Sequence, residues 1–145
     1  AAAEIQDNLK IPICMQKNGK AYVKNTTWNL SAYFDLNMTL DDVTYLDDGE
    51  IILNANPNFK VKLISVAGHT TDGAIFYSEK DNVAFVGDSI FLGSFGRTDF
   101  PGGDEKTLFE EIKNKIFTLP DDTILLSGHS DATTVGNEKR RSWFT

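Results

Sequence analysis

The apolar positions of this chain change their period several times. In "DEKTLFEEIKNKIFTLP" (104–120), Leu108, Ile112 and Ile116 fall at i, i+4 and i+8, with Phe109 and Phe117 beside them. That spacing lays one apolar stripe along a helix. Asp104 and Glu105 suit its first turn and Pro120 closes it. Elsewhere the apolar runs are short and read as strands. "KVKLISVA" (60–67) alternates in its first half, and "DTILLSG" (122–128) is a compact run of the buried kind. "GAIFYSE" and "NVAFVGD" are two strands joined by "KDN", which predicts a hairpin. "AAAEIQDNL" (1–9) predicts a helix, and "IPICMQ" a short strand with Pro12 near its start. "KAYVKNTTWNLSAYF" (20–34) reads as a broken helix, "LDDGE" (46–50) as a tight reversal and "GNEKRRSWFT" (136–145) as a short helical tail. Helices and strands are mixed and part of the pairing is antiparallel, so the class is a layered α/β or α+β fold.

A chain of 145 residues is enough for one domain with a hydrophobic core, and no repeat or linker divides it. Lys plus Arg is 14 and Asp plus Glu is 21, a net charge of −7. That sign argues against binding to nucleic acid. The basic cluster "EKRR" reads as a solvated helix face. No apolar run is long enough to span a membrane, and the first residues do not read as a signal peptide. The single cysteine, Cys14, excludes an internal disulfide framework and fits a reducing, cytoplasmic setting. Lying inside "IPICM", it is expected in the core.

Candidate chemistry gathers at the ends of three strands. "AFVGDSIFLGSFGRTDFPGGD" (84–104) ends an apolar strand on Asp88 and holds five glycines. A buried carboxylate is costly unless it is paired or binds metal. The two histidines, His69 in "VAGHTT" and His129 in "LSGHSD", also follow a glycine directly after an apolar strand. Strand ends share a rim where loops build sites on a rigid scaffold. Glycine before each side chain would allow a sharp turn or a close approach. Imidazole with carboxylate suits Zn²⁺, Fe or Mn²⁺. The same residues also suit polar loops and turns, so the pattern alone leaves both readings open. The segment "GSFGRTDFPGG" has neither a P-loop ending nor GxGxxG spacing, and the serine elbow GxSxG is absent.

Together, "AGHTTDGAIFYS", "VAFVGDSIFLGSFGRTDFPGGD" and "LPDDTILLSGHSDATTVGNEKR" resemble the C-terminal half of a metallo-β-lactamase-fold hydrolase of the glyoxalase II-like type. The likeness covers about Asp48 to Ser142 closely and the first third loosely. It implies an αββα sandwich with two metal ions, zinc or in some cases iron or manganese, at the rim between two sheets. On that resemblance His69 completes the first metal site, Asp88 bridges the two ions and His129 completes the second. The loop Gly93–Gly103 shapes the substrate pocket. Arg97 within it is a candidate for contacting an anionic group of the substrate, or for a structural ion pair with a nearby Asp.

The family's HxHxDH signature, and the sheet that precedes it, have no counterpart here. The family's helix just after that signature matches "AAAEIQDNL", whose start carries no cap. The chain is therefore expected to be the C-terminal part of one larger domain. The missing sheet would leave one apolar sheet face bare, to be covered by the missing half or by another copy. The implied activity is metal-dependent hydrolysis of a small-molecule thioester. An iron-dependent persulfide dioxygenase, whose family shares "GRTDF", and a non-catalytic chain that only self-associates are the alternatives.

Overall fold

The computed structural model describes residues 2–53 and 56–141. The chain divides into two compact units, Ala1–Asp47 and Asp48–Thr145.

In the first unit, helix α1 (Ala2–Leu9) buries none of its residues. Ala1, the first position of the expected helix, lies outside the described residues. Strands β1 (Ile13–Gln16) and β2 (Val43–Leu46) pair in parallel, with Ile13 opposite Val43. Between them the expected broken helix is replaced by two short 3₁₀ turns, Lys17–Ala21 and Ser31–Phe34. Leu30 and Asp35, which flank the second turn, have φ of 67° and 55°. Left-handed residues of this kind do not propagate a helix. Asn29 holds the excursion together, its Nδ2 donating to the carbonyls of Tyr22 at 3.1 Å and Met38 at 2.9 Å. Cys14 is exposed, not in the core as expected. Side chains alternate along a strand, and Cys14 points away from the half-buried Ile13 and Met15, to a side that is covered at Gln16 but open at Cys14.

The second unit contains β3 (Gly49–Leu53), β4 (Asn56–Ser65), β5 (Ala74–Ser78), β6 (Val83–Gly87), β7 (Ile90–Phe91), β8 (Ser94–Phe95), α2 (Glu105–Glu111), β9 (Ile124–Ser127), β10 (Thr133–Thr134) and α3 (Val135–Lys139). One six-stranded sheet runs in the order β10-β9-β6-β5-β4-β3. Only β6 and β9 pair in parallel; the other neighbours are antiparallel. Strands β4, β6 and β9 therefore run the same way, and their C-terminal ends share one rim. The "KDN" hairpin forms as expected, with Phe76 opposite Phe85 and the Ser78 hydroxyl donating to Asp81 at 2.6 Å.

Two boundaries differ from the sequence pattern. Strand β4 begins at Asn56, not Lys60, because pairing with β3 draws "NPNF" into extended backbone. The "LDDGE" segment makes no hairpin: β2 pairs with β1, and β3 pairs with β4. Its Asp48 accepts from the Ser65 amide at 3.0 Å and from the Ser65 hydroxyl, joining the start of β3 to the end of β4.

Asp104 caps α2, its Oδ1 accepting from the Thr107 amide at 2.7 Å. The helix continues as a π turn over Ile112–Ile116, closed by Phe117 N–H to the Ile112 carbonyl at 2.9 Å. Leu108, Ile112 and Ile116 are fully buried, as the stripe predicts, among Val66 just after β4 and Ile75, Val86 and Leu125 of the sheet. Each such side chain contributes about 1.5–3 kcal/mol by leaving water. On the opposite face Phe76, Phe85 and Leu126 stand in one cross-strand row, and Phe85 and Ile124 are 49% and 42% exposed. In the C-terminal tail α3 is helical, and residues 142–145 lie outside the described residues.

Candidate metal centre

The three expected donors meet at the shared rim. His69 follows β4, Asp88 follows β6 directly, and His129 follows β9. His69 Nε2 lies 3.4 Å from Asp88 Oδ2, and His129 Nε2 lies 3.4 Å from Asp88 Oδ1. One carboxylate thus presents a different oxygen to each imidazole. Asp88 is not buried, as the end of an apolar strand suggested, since its side chain keeps 34% of its exposure. The strand's last turn carries it out to the rim, so its charge is partly solvated.

The local sequence explains two of the three placements. Gly68, with φ of +125°, packs so closely on the backbone of Leu108 that a Cβ would overlap it. Its carbonyl accepts from the Asp104 amide at 2.8 Å, which seats His69 against the start of α2. Gly87 has φ of +51° and turns the chain at Asp88. Gly128 does not follow the expectation: a Cβ there would make only an ordinary contact, 3.9 Å from Asp88 Oδ1.

The two imidazoles are held differently. His69 Nδ1 lies 2.7 Å from the backbone carbonyl of Arg97. A carbonyl only accepts, so Nδ1 donates, and Nε2 is the ring nitrogen left facing Asp88. Phe100 packs edge-on to the same ring at 5.5 Å. Gly96 makes this possible, because a Cβ there would fall on the Asp88 carbonyl and 3.2 Å from His69 Nδ1. The His129 side chain is 70% exposed and meets the edge of Phe91 at 6.0 Å. Its turn is tied by Ser127 and Ser130, whose hydroxyls lie 2.8 Å apart.

Arg97 forms a two-pronged ion pair with Asp99, Nε to Oδ1 at 2.6 Å and an Nη2 contact to Oδ2 at 2.5 Å. Its guanidinium stacks 4.4 Å from the centre of the Phe100 ring. The hydrogen bonds from Arg97 pull the Asp99 carboxyl down to about 2. This is the structural ion pair that the sequence left open beside substrate binding. It was the Arg97 backbone, rather than its charge, that sequence reasoning missed, and no pattern in the chain announces it.

The donor set fits a metal in chemistry and spacing. At 3.4 Å the two N···O pairs are longer than good hydrogen bonds of about 2.7–3.2 Å. They match the edge of a zinc tetrahedron, about 3.4 Å for bonds of about 2.0–2.1 Å. Each side of Asp88 offers one nitrogen and one oxygen. Among the described residues no group of three or more His, Cys, Asp or Glu side chains surrounds a single point. The arrangement is one carboxylate with an imidazole facing each of its oxygens.

The Metallo-beta-lactamase superfamily model matches residues 1–129, and the chain belongs to that superfamily. Its members are generally hydrolytic enzymes that bind divalent metals. Hydroxyacylglutathione hydrolase GloC of Haemophilus influenzae is 41% identical over 105 residues, covering 72% of this chain and 49% of that protein. The crystal structure of BLEG-1 B3 metallo-beta-lactamase superposes with a TM-score of 0.87 at 28% identity, covering 98% of this chain and 69% of that one. That of TTHA1623 in a di-iron-bound form gives 0.80 at 26% identity, covering 99% and 69%. The chain thus spans about half the length of the hydrolase and about two-thirds of the solved chains. The likeness also runs through the first third, which the sequence motifs matched only loosely.

Proposed function

We propose that this chain carries part of a dinuclear metal centre in a hydrolase acting on a small-molecule thioester. The observation that carries the reading is the pair of 3.4 Å contacts from two imidazoles to opposite oxygens of Asp88. His69 and Asp88 Oδ2 would hold one ion, and His129 and Asp88 Oδ1 the other, zinc or iron. A metal pair supplies hydroxide near neutral pH by lowering the pKa of bound water.

The chain's own residues prepare that chemistry. Asp88 divides its charge between the two sides. The Arg97 carbonyl accepts the Nδ1 hydrogen bond of His69 and leaves Nε2 as the nitrogen that would bind an ion. Arg97 and Phe100 form a flat cationic edge beside His69. An anionic part of the substrate can take the guanidinium in exchange for Asp99. The named activity of the Haemophilus influenzae relative supports a glutathione thioester as substrate. The exposed thiol of the single cysteine, Cys14, suits a reducing compartment and supports a cytoplasmic location.

One observation favours a second reading. With no three-donor group among the described residues, the chain by itself offers each ion half of a tetrahedral shell. That supports a role in assembly through the apolar sheet face, with another copy or with a chain supplying the remaining donors. The test is to load the purified chain with Zn²⁺ or Fe²⁺ and assay a hydroxyacylglutathione. Turnover that falls at least about 100-fold in Asp88→Ala supports hydrolysis. A chain that retains no metal and shows no turnover overturns it in favour of assembly. Oxygen uptake with a persulfide in the iron-loaded chain overturns it in favour of a dioxygenase.

A further inference from the structure

The fully buried carboxylate of this unit is not Asp88 but Glu138, on α3, with no exposure at all. The cluster "EKRR" was expected to be a solvated face, and Glu138 is its inward member. Burying a carboxylate is unfavourable unless its oxygens are filled. Here Oε1 accepts from the Thr133 hydroxyl at 2.5 Å and Oε2 from the Gly93 amide at 3.0 Å. Arg141 Nε lies 2.9 Å from Oε2 as an ion pair, its N–H not aligned for a hydrogen bond.

The segment that Glu138 anchors reaches His129 by two routes. Leu92 N–H donates to the Ser130 hydroxyl at 3.0 Å, next to His129 in the turn after β9. Phe91, two residues before Gly93, sets the edge-on contact against the His129 ring at 87°. Among the described residues His129 has no hydrogen bond comparable to that of His69 Nδ1 with Arg97. Besides its 3.4 Å approach to Asp88, its orientation rests on Phe91 and on the Ser127–Ser130 turn. The first lies in the 91–93 segment and the second is bonded to it through Leu92.

We propose that Glu138 is a positioning residue for His129, acting through Gly93, Leu92 and Ser130. This rests on reading His129 as a metal ligand. A buried Glu138 that merely stabilised α3 would leave the His129 ring where it is.

The chain has two histidines, so their Hε1 protons give two NMR resonances and His69 serves as an internal reference. The first measurement is on metal-free protein at pH 8. Glu138→Ala is expected to move or broaden the His129 resonance and leave His69 in place. Glu138→Gln is expected to restore it, since its amide oxygen accepts from Gly93 and its NH₂ donates to Thr133. Ser130→Ala cuts the link to Leu92 together with the tie to Ser127, whereas Ser127→Ala cuts the tie alone, so Ser130→Ala is expected to displace His129 further than Ser127→Ala. A Zn²⁺ titration should raise the midpoint read at His129 about tenfold in Glu138→Ala, with His69 unchanged. An unmoved His129 resonance in folded Glu138→Ala overturns the proposal. If Glu138→Ala does not fold, the pair Ser130→Ala and Ser127→Ala decides: a larger His129 displacement in Ser130→Ala supports the proposal and equal displacements overturn it. If neither histidine responds to zinc, the functional reading fails, while the metal-free resonances still decide the role of Glu138.

Discussion

His69 and His129 share a local text, glycine then histidine after an apolar strand, and the same 3.4 Å distance to Asp88. Their surroundings differ. The His69 side chain keeps 18% of its exposure, and its ring is locked by a backbone carbonyl and the edge of Phe100. The His129 side chain keeps 70%, and its ring is held at second hand by a loop pinned to a buried carboxylate. One corner is prepared by contact with the imidazole itself, the other by the scaffold behind it. A ligand whose second nitrogen is fixed loses less freedom on binding a metal. The His69 half-site should therefore fill first.

Damage beneath the His69 corner breaks this comparison most strongly. The backbone of Leu108 abuts Gly68, and its side chain is fully buried. Leu108→Ala should cost about 2–5 kcal/mol in denaturant unfolding and disturb the His69 resonance more than that of His129. Gly96→Ala comes next, because a Cβ there meets the Asp88 carbonyl. It should cost about 1–3 kcal/mol and remove the tighter zinc midpoint at His69. Asp104→Ala removes the cap that accepts from Thr107. It should cost about 1 kcal/mol, read in thermal unfolding, with both histidine resonances nearly unmoved.

The smallest effect sharpens the comparison. Asp99 is held down to about 2 by Arg97. A depressed carboxyl stabilises the fold above its unfolded value of about 3.9, and that contribution is lost as pH falls toward 2. The pair is exposed, so its contribution is small. Arg97→Ala should return the Asp99 carboxyl to the ordinary range in a carbon-detected titration. It should leave the His69 Nδ1 hydrogen bond intact, because that bond uses the Arg97 backbone.

Much of the second unit was legible because its determinants are local. The Leu108–Ile112–Ile116 stripe, the "KDN" hairpin and the three strand ends with His69, Asp88 and His129 each declare themselves within a few residues. What was not legible depends on partners far apart in the chain. Glu138 reads as a surface residue until Gly93 and Thr133 converge on it. Its spacing from Val135, three positions along α3, was the available sign of a shared buried face. Cys14 looked buried because the five-residue apolar run "IPICM" does not reveal which of its sides is covered. The strand partners on either side of "LDDGE" were not legible: the chain bends at Asp48, but β3 pairs downstream with β4, and turn chemistry does not choose strand partners.

The central claim is that Asp88 is shared by two metal-binding halves. Its most direct test is a Zn²⁺ titration of the full chain and of Asp88→Ala, following the two histidine Hε1 resonances. The account predicts that both move in the unaltered chain, His69 at the lower zinc concentration, and that neither moves at those concentrations in Asp88→Ala. Two silent histidines, or an Asp88→Ala titration that matches the unaltered chain, would contradict it.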